Sequence, residues 1–94
     1  MPHVENITRT ELVDWIRRDI DHVDRRLGAN NDISHHLRRL HELASNATAF
    51  TDASAICRRW TDFRSTQRTL ILDGLVTRRV VRYPWVRFFL IPDE

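Results

Sequence analysis

Apolar residues recur every three or four positions in the first half of the chain, and this spacing predicts two amphipathic helices. The first covers 10–28, with Thr10 as its N-cap and Gly28 at its end. The second begins at Asn31 or Asp32, both of which are good capping residues. Their apolar stripes are Leu12, Ile16, Ile20, Val23 and Leu27, and then Ile33, Leu37, Leu40, Ala44 and Ala47.

The third stretch, 53–72, allows two interpretations. A single helix would place four apolar residues on one face, namely Ile56, Trp60, Phe63 and Leu70. A break near Trp60, with Thr61 or Asp62 as a new N-cap, would instead give a helix-turn-helix. The spacing leaves both open, and we favour the break because of a resemblance described below.

The C-terminal part predicts a β-hairpin. Residues 75–83 and 85–91 are rich in β-branched and aromatic side chains and alternate apolar with polar or basic positions. Pro84 lies between them, where a turn is required, and Gly74 ends the preceding helix. Residues 1–9 have no strong period and are predicted to form an arm. The predicted fold class is therefore α+β, with three to four helices followed by a C-terminal β-hairpin.

Composition and motifs limit the classes of function that we expect. The chain has 94 residues, 41% of them apolar and 30% charged, which is typical of one globular domain with a single core. It has no Gly-rich phosphate loop, nucleophile elbow or paired carboxylates, so we expect neither an enzyme nor a cofactor. The histidines and Cys57 lack the spacing of zinc ligands, and we expect no metal site.

Two further features bear on location. No apolar run approaches the roughly 18 to 20 residues that a membrane span needs, so we expect no membrane contact. The chain starts without the basic and apolar segments of a secretory signal, and its only cysteine cannot form an internal disulfide. We therefore expect a cytoplasmic protein, associated with the nucleoid if it binds DNA.

All basic residues are arginine, and the formal net charge is +2. A GC-rich coding sequence would produce the same bias without any functional meaning. Position adds information, because eight of the fifteen arginines lie from Cys57 onward, against four acids in that stretch. Guanidinium groups suit bidentate recognition of phosphate and guanine.

Residues 70–92 resemble the end of the recognition helix plus the wing of winged-helix transcriptional regulators of the HxlR and MarR types. The resemblance rests on Gly74-Leu75-Val76 after a leucine-rich helix end, on the basic strand that follows, and on Leu90-Ile91-Pro92 after the second strand. It implies a winged-helix core at 32–92 within a single domain of residues 1–94, preceded by the arm and by an extra N-terminal helix at 10–28.

The resemblance also implies a sequence-specific DNA-binding regulator. The helix at 61–72 would enter the major groove of double-stranded DNA, and the hairpin would contact the backbone. Helix 10–28 could form a homodimer, although burial of its stripe within the same chain fits as well. The implied DNA contacts are Arg64, Ser65, Gln67 and Arg68 on the outward face of the helix, and Arg78, Arg79, Arg82 and Arg87 on the wing.

A second hypothesis is a protein-interaction module or inhibitor, of the kind that mobile elements carry. The hairpin has more aromatic residues than a wing needs: Tyr83, Trp85, Phe88 and Phe89. A backbone break near Trp60 and inward aromatic rings would favour DNA binding. A single helix over 53–72 and exposed aromatic rings would favour a protein partner.

Overall fold

The computed structural model describes residues 3–72 and 80–92, and the side chains of all of these except 70–72. Its elements, in chain order, are strand β1 (His3–Ile7), helices α1 (Arg9–Leu27), α2 (Asp32–Asn46) and α3 (Phe50–Leu72), and strand β2 (Val86–Leu90). The predicted α+β class is confirmed, with three helices. None of these helices is both long and apolar enough to cross a membrane.

The N-cap of α1 lies two residues earlier than predicted, at Thr8 rather than Thr10. The Thr8 hydroxyl accepts the backbone N–H of Glu11, and the Glu11 carboxylate accepts the backbone N–H of Thr8 at 3.0 Å. This reciprocal capping box satisfies two donors at the helix start. Gly28, with φ 83°, ends the helix as predicted, and Asn31 caps α2.

Helices α1 and α2 pack against each other and bury their predicted stripes. Four of the five stripe residues of α1 are buried, and Leu27 is exposed. In α2, Leu37, Leu40 and Ala44 are buried. The hydrophobic periodicity therefore predicted which faces of both helices form the core.

Helix α3 runs without interruption from Phe50 to Leu72, so the predicted break near Trp60 is wrong. Trp60 is fully enclosed in the core and lies within the helix, ten residues after its first residue. The Thr61 hydroxyl does not cap a new helix, because it donates to the carbonyl of Phe88 at 3.3 Å. No glycine or proline interrupts the segment.

The described strands form a parallel pair rather than a hairpin. β2 lies within the predicted strand at 85–91, but it pairs with β1, from His3 opposite Val86 to Ile7 opposite Leu90. The other predicted strand, 75–83, forms bends at 80–83, and its part at 75–79 lies outside the described residues. Strand β1 was not predicted.

Two local features keep 80–83 out of a ladder. The carbonyl groups of Arg82 and Tyr83 accept hydrogen bonds from the Arg64 guanidinium, so they do not bond to a neighbouring strand. Tyr83 also has φ 50°, a left-handed conformation incompatible with an extended strand.

One face of the sheet belongs to the core. Phe88 is buried there, with its ring centroid 5.0 Å from that of Trp15 and 4.7 Å from that of Trp60. Ile7 lies on the same face and is also buried. Because side chains alternate along a strand, the opposite face carries Val4, Asn6, Arg87 and Phe89, all exposed; we call these four residues the outer sheet face.

Candidate interaction surface

An ion pair within the core positions the segment that leads into β2. Arg64 of α3 and Asp19 of α1 are fully buried and form a salt bridge, and the Trp60 indole N–H donates to the same carboxylate at 3.0 Å. Burial raises the pKa of Asp19, while the neighbouring guanidinium opposes that rise. A carboxylate and a guanidinium tolerate such burial because each has the other as a partner.

The Arg64 guanidinium also reaches beyond Asp19. It donates to the carbonyls of Arg82 and Tyr83, the latter at 2.7 Å. Its central carbon lies 4.9 Å from the Trp60 ring centroid and 5.1 Å from that of Phe88. Arg64 therefore connects α1, α3 and the segment before β2, and it fixes the backbone from which the following aromatic residues project.

The predicted DNA-contact residues do not form one exposed face on α3. Arg64 and Gln67 are buried, so the expectation that they point outward is wrong; Ser65 is half-buried and Arg68 is exposed. Of the wing arginines, Arg82 and Arg87 are exposed. Arg78 and Arg79 lie outside the described residues.

The spacing of Asp19 and Arg64 in the sequence indicates that both could be buried. Asp19 follows Ile16 by three residues and precedes Val23 by four, so it lies on the apolar stripe of α1. Arg64 follows Trp60 by four residues, on the apolar side of α3. Two opposite charges, each at a core position of its own helix, point to a buried pair.

The segment that Arg64 holds presents aromatic and basic side chains to solvent. Tyr83 is 45% exposed, Trp85 37% and Phe89 52%. The Tyr83 and Trp85 rings meet edge to face at 5.7 Å, and the Arg82 guanidinium lies 5.8 Å from the Tyr83 ring centroid. We call this the aromatic–basic surface; it consists of Arg82, Tyr83, Trp85, Arg87 and Phe89.

A groove between α3 and β2 extends this surface. Arg58 and Ser54 of α3 line one side, and Arg87 and Phe89 of β2 line the other. Neither Arg58 nor Arg87 has an acidic partner within the described part of the chain. Among the described residues, therefore, no acidic side chain neutralises the positive charge of the groove.

The floor of the groove contributes no reactive group. Cys57 is 2% exposed, and its thiol lies 3.6 Å from the carbonyl of Phe88, to which it donates. Burial raises the pKa of the thiol to about 11, so it is protonated at neutral pH and a poor nucleophile. Among residues 3–72 and 80–92, no three histidine, cysteine or acidic side chains come together to hold a metal ion.

The apolar stripe of α1 is occupied within the chain. Leu12, Ile16, Ile20 and Val23 pack in the core with α2 and α3. Contact with another chain through α1 would have to use its remaining, mostly charged residues.

Comparison of the chain with protein-family models, with curated proteins and with solved structures finds no match in any of the three. These comparisons do not bear on the resemblance to winged-helix regulators.

Proposed function

We propose that this chain is a protein-interaction module whose partner presents an acidic surface with apolar side chains. The observation that carries the proposal is the uncovered outer sheet face, where Phe89 and Val4 are about half exposed on either side of Arg87. Parallel sheets are normally covered on both faces, so an exposed apolar face on one of them is a candidate contact surface.

The residue types on the aromatic–basic surface support a protein partner. Tryptophan, tyrosine and arginine are enriched among the side chains that dominate binding energy in protein interfaces. Here Tyr83, Trp85 and Arg87 occur within five residues, and the buried Arg64 holds the backbone at Arg82 and Tyr83 in place. A pre-positioned surface loses little conformational entropy on binding.

The continuous α3 and the exposed rings also favour this function. A helix-turn-helix reader needs a second helix that projects from a turn, and the single helix over 53–72 has no such turn. Three of the four aromatic residues in 83–89 are exposed, and only Phe88 faces the core. On both features the protein-partner hypothesis fits better.

The test compares matched variants in affinity capture. Three proteins are compared: wild type, an Arg87→Glu/Phe89→Ser variant and an Arg39→Glu control. Each is incubated with an extract of the organism in which the protein occurs naturally, and the bound proteins are quantified by mass spectrometry. Arg39 is an exposed arginine of α2. We expect a partner that wild type and control retain and that the double variant loses.

The retained partner is then purified and its affinity measured by calorimetry. We expect the double variant to bind at least about tenfold more weakly, since both a charged contact and an apolar contact are removed. If every captured protein binds the double variant as tightly as it binds wild type, the proposed surface is wrong.

Duplex DNA binding, the function that the winged-helix resemblance implies, is the second candidate. It is favoured by exposed arginines, of which Arg58 and Arg87 line one groove and Arg82 lies in the segment before β2. Guanidinium groups at such positions can neutralise phosphates without reading bases, so the binding would be strongly salt-dependent.

Fluorescence anisotropy with a labelled duplex over a salt series tests this candidate. A steep negative salt dependence that is reduced in Arg82→Ala/Arg87→Ala and Arg78→Ala/Arg79→Ala, but retained in Arg25→Ala/Arg39→Ala, would support DNA binding. Absence of binding at low salt would remove this candidate and leave the protein partner.

A further inference from the structure

The two-stranded sheet has one edge covered by a helix and one edge to which no residue of the described part of the chain forms a hydrogen bond. Ile91 donates its N–H to the carbonyl of Ile7 at 2.8 Å, so the backbone groups of the odd-numbered residues of β2 face β1. The carbonyl of Phe88 therefore points the other way, and there it accepts from Cys57 and Thr61 of α3. Helix α3 thus covers the outer edge of β2.

The outer edge of β1 follows from the same alternation. Because the Ile7 carbonyl faces β2, so do the backbone groups of Glu5 and His3, while those of Val4 and Asn6 point away. No described residue forms a hydrogen bond with these outward groups. Residues 3–6 are also exposed. An exposed strand edge of this kind is a template for another strand.

We propose that this edge pairs with β1 of a second copy of the chain, antiparallel about a two-fold axis, to form a four-stranded sheet. The inference does not rest on the proposed function, because it concerns backbone groups at the edge of β1; the two share only Val4, which also belongs to the outer sheet face.

The side chains of β1 favour pairing with a second copy of β1, in a register centred on Val4. A two-fold pairing centred on Val4 places His3 of each copy opposite Glu5 of the other, at the positions where side chains of an antiparallel pair come closest. These two side chains are chemically complementary, since they already meet at 3.0 Å within one strand. The same register puts the two half-exposed Val4 side chains in contact across the axis.

The neighbouring registers are less favourable. Centring the pair on Glu5 would place the two Glu5 carboxylates opposite each other, which is repulsive. Centring it on Asn6 would place Glu5 opposite the buried Ile7, where it has no partner to gain. Of these three registers, the one centred on Val4 therefore fits a second copy of β1 best.

Sedimentation velocity on the full chain, from roughly 10 µM to roughly 1 mM, tests the proposal over the range expected for so small an interface. We expect wild type to shift from monomer to dimer with concentration. Val4→Pro removes an N–H that points to the open edge, and we expect it to lower the association constant at least about tenfold. Phe89→Ser alters the outer sheet face but not that edge, and should dimerise like wild type.

A charge exchange then tests the register. His3→Glu places a second carboxylate opposite Glu5 of its copy, and Glu5→Lys removes the carboxylate that His3 faces, so each variant alone should dimerise more weakly than wild type. In a mixture of the two, the introduced carboxylate faces the introduced ammonium group, the other cross-strand pair is the wild-type His3 with Glu5, and a heterodimer should form.

Circular dichroism of each variant serves as the control for folding. A wild-type chain that stays monomeric throughout, a Val4→Pro chain that dimerises as strongly as wild type, or a mixture that remains monomeric would overturn the proposal.

Discussion

At the scale of single residues, Arg64 determines how the C-terminal segment meets the helices. Burial of a guanidinium in an apolar core is costly unless its donors have acceptors. Arg64 has three acceptors for its terminal nitrogens, the Asp19 carboxylate and the carbonyls of Arg82 and Tyr83, while its Nε–H has none among the described residues. Removing it would leave both a buried carboxylate and two backbone carbonyls without these partners.

We expect Arg64→Met to lower the free energy of unfolding by about 3–5 kcal/mol, because a similar volume is kept while Asp19 loses its counter-charge. Urea denaturation measures the change. Arg68→Met, one turn further along α3 at an exposed position, is the matched control and should change it by no more than about 0.5 kcal/mol.

The double variant Asp19→Leu/Arg64→Met separates the charge from the packing. We expect it to be more stable than Arg64→Met alone, since it leaves no unpaired buried carboxylate. A double variant less stable than the single one would show that the Asp19 carboxylate is not the source of the cost.

Cys57 gives a pH-dependent prediction. Burial raises the pKa of its thiol to about 11, against about 9 for an ordinary thiol. The folded state therefore favours the protonated thiol; its contribution to stability is intact below pH 9 and is lost as the pH rises toward 11. We expect the free energy of unfolding of wild type to fall more steeply over this range than that of Cys57→Ala. Parallel curves would contradict the shift.

At the scale of elements, the helices are defined by their ends as much as by their faces. The Thr8–Glu11 capping box starts α1, and Gly28 ends it with a positive φ. These short-range interactions decide where the chain leaves β1 and enters the helix, with Thr8 as the single residue between Ile7 and the first residue of α1.

Substitution of Thr8 and of Thr10, the two candidate N-caps of α1, measures how much each one stabilises the helix. We expect Thr8→Ala to cost about 1 kcal/mol of unfolding free energy, because an N-terminal donor of α1 loses its acceptor. Thr10→Ala, within the first turn and exposed, should cost less than about 0.5 kcal/mol. Equal losses in thermal or urea unfolding would argue against the cap at Thr8.

The helices could be read from the sequence because their signals are local. Stripes such as Leu12, Ile16 and Val23 repeat at the helical period, and Gly28 marks an end. The break predicted near Trp60, with Thr61 or Asp62 as a new N-cap, is wrong; the Thr61 hydroxyl instead donates to the carbonyl of Phe88 from within a continuous helix. That acceptor lies 27 residues away, beyond the reach of any local pattern.

At the scale of the whole molecule, Ile7 connects the sheet to the helices. It is 1% exposed and belongs to the same core as the stripes of α1 and α2, while Val4 on the opposite face is 49% exposed. The position of β1 therefore depends on one well-buried side chain as well as on its ladder with β2.

We expect Ile7→Ala to lower the free energy of unfolding by about 2–5 kcal/mol, the range for truncation of a buried aliphatic side chain. Val4→Ala should have an effect below about 0.5 kcal/mol, when measured by denaturation at a concentration low enough to keep the chain monomeric. Similar losses for both would mean that Ile7 is not a core residue.

The candidate surface was predicted in part. Tyr83, Trp85 and Phe89 were identified from the sequence as candidates for a protein contact, because aromatic residues in such number exceed what a hairpin core needs. The parallel sheet was not predicted, since His-Val-Glu-Asn-Ile has little alternation and its partner is remote. Arg64 was assigned to the surface because arginine is usually exposed; only its pairing with Asp19 makes burial favourable.

The parallel pairing of β1 with β2 also sets an order of assembly. Its partners are more than eighty residues apart, so β1 leaves the ribosome long before residues 86–90 exist. Local contacts within the helices can form while synthesis proceeds, whereas the sheet closes only after them, since closing so long a loop is entropically costly. Until β2 is available, β1 lacks its ladder partner, and the nascent chain has only the contacts of its helices to stabilise it.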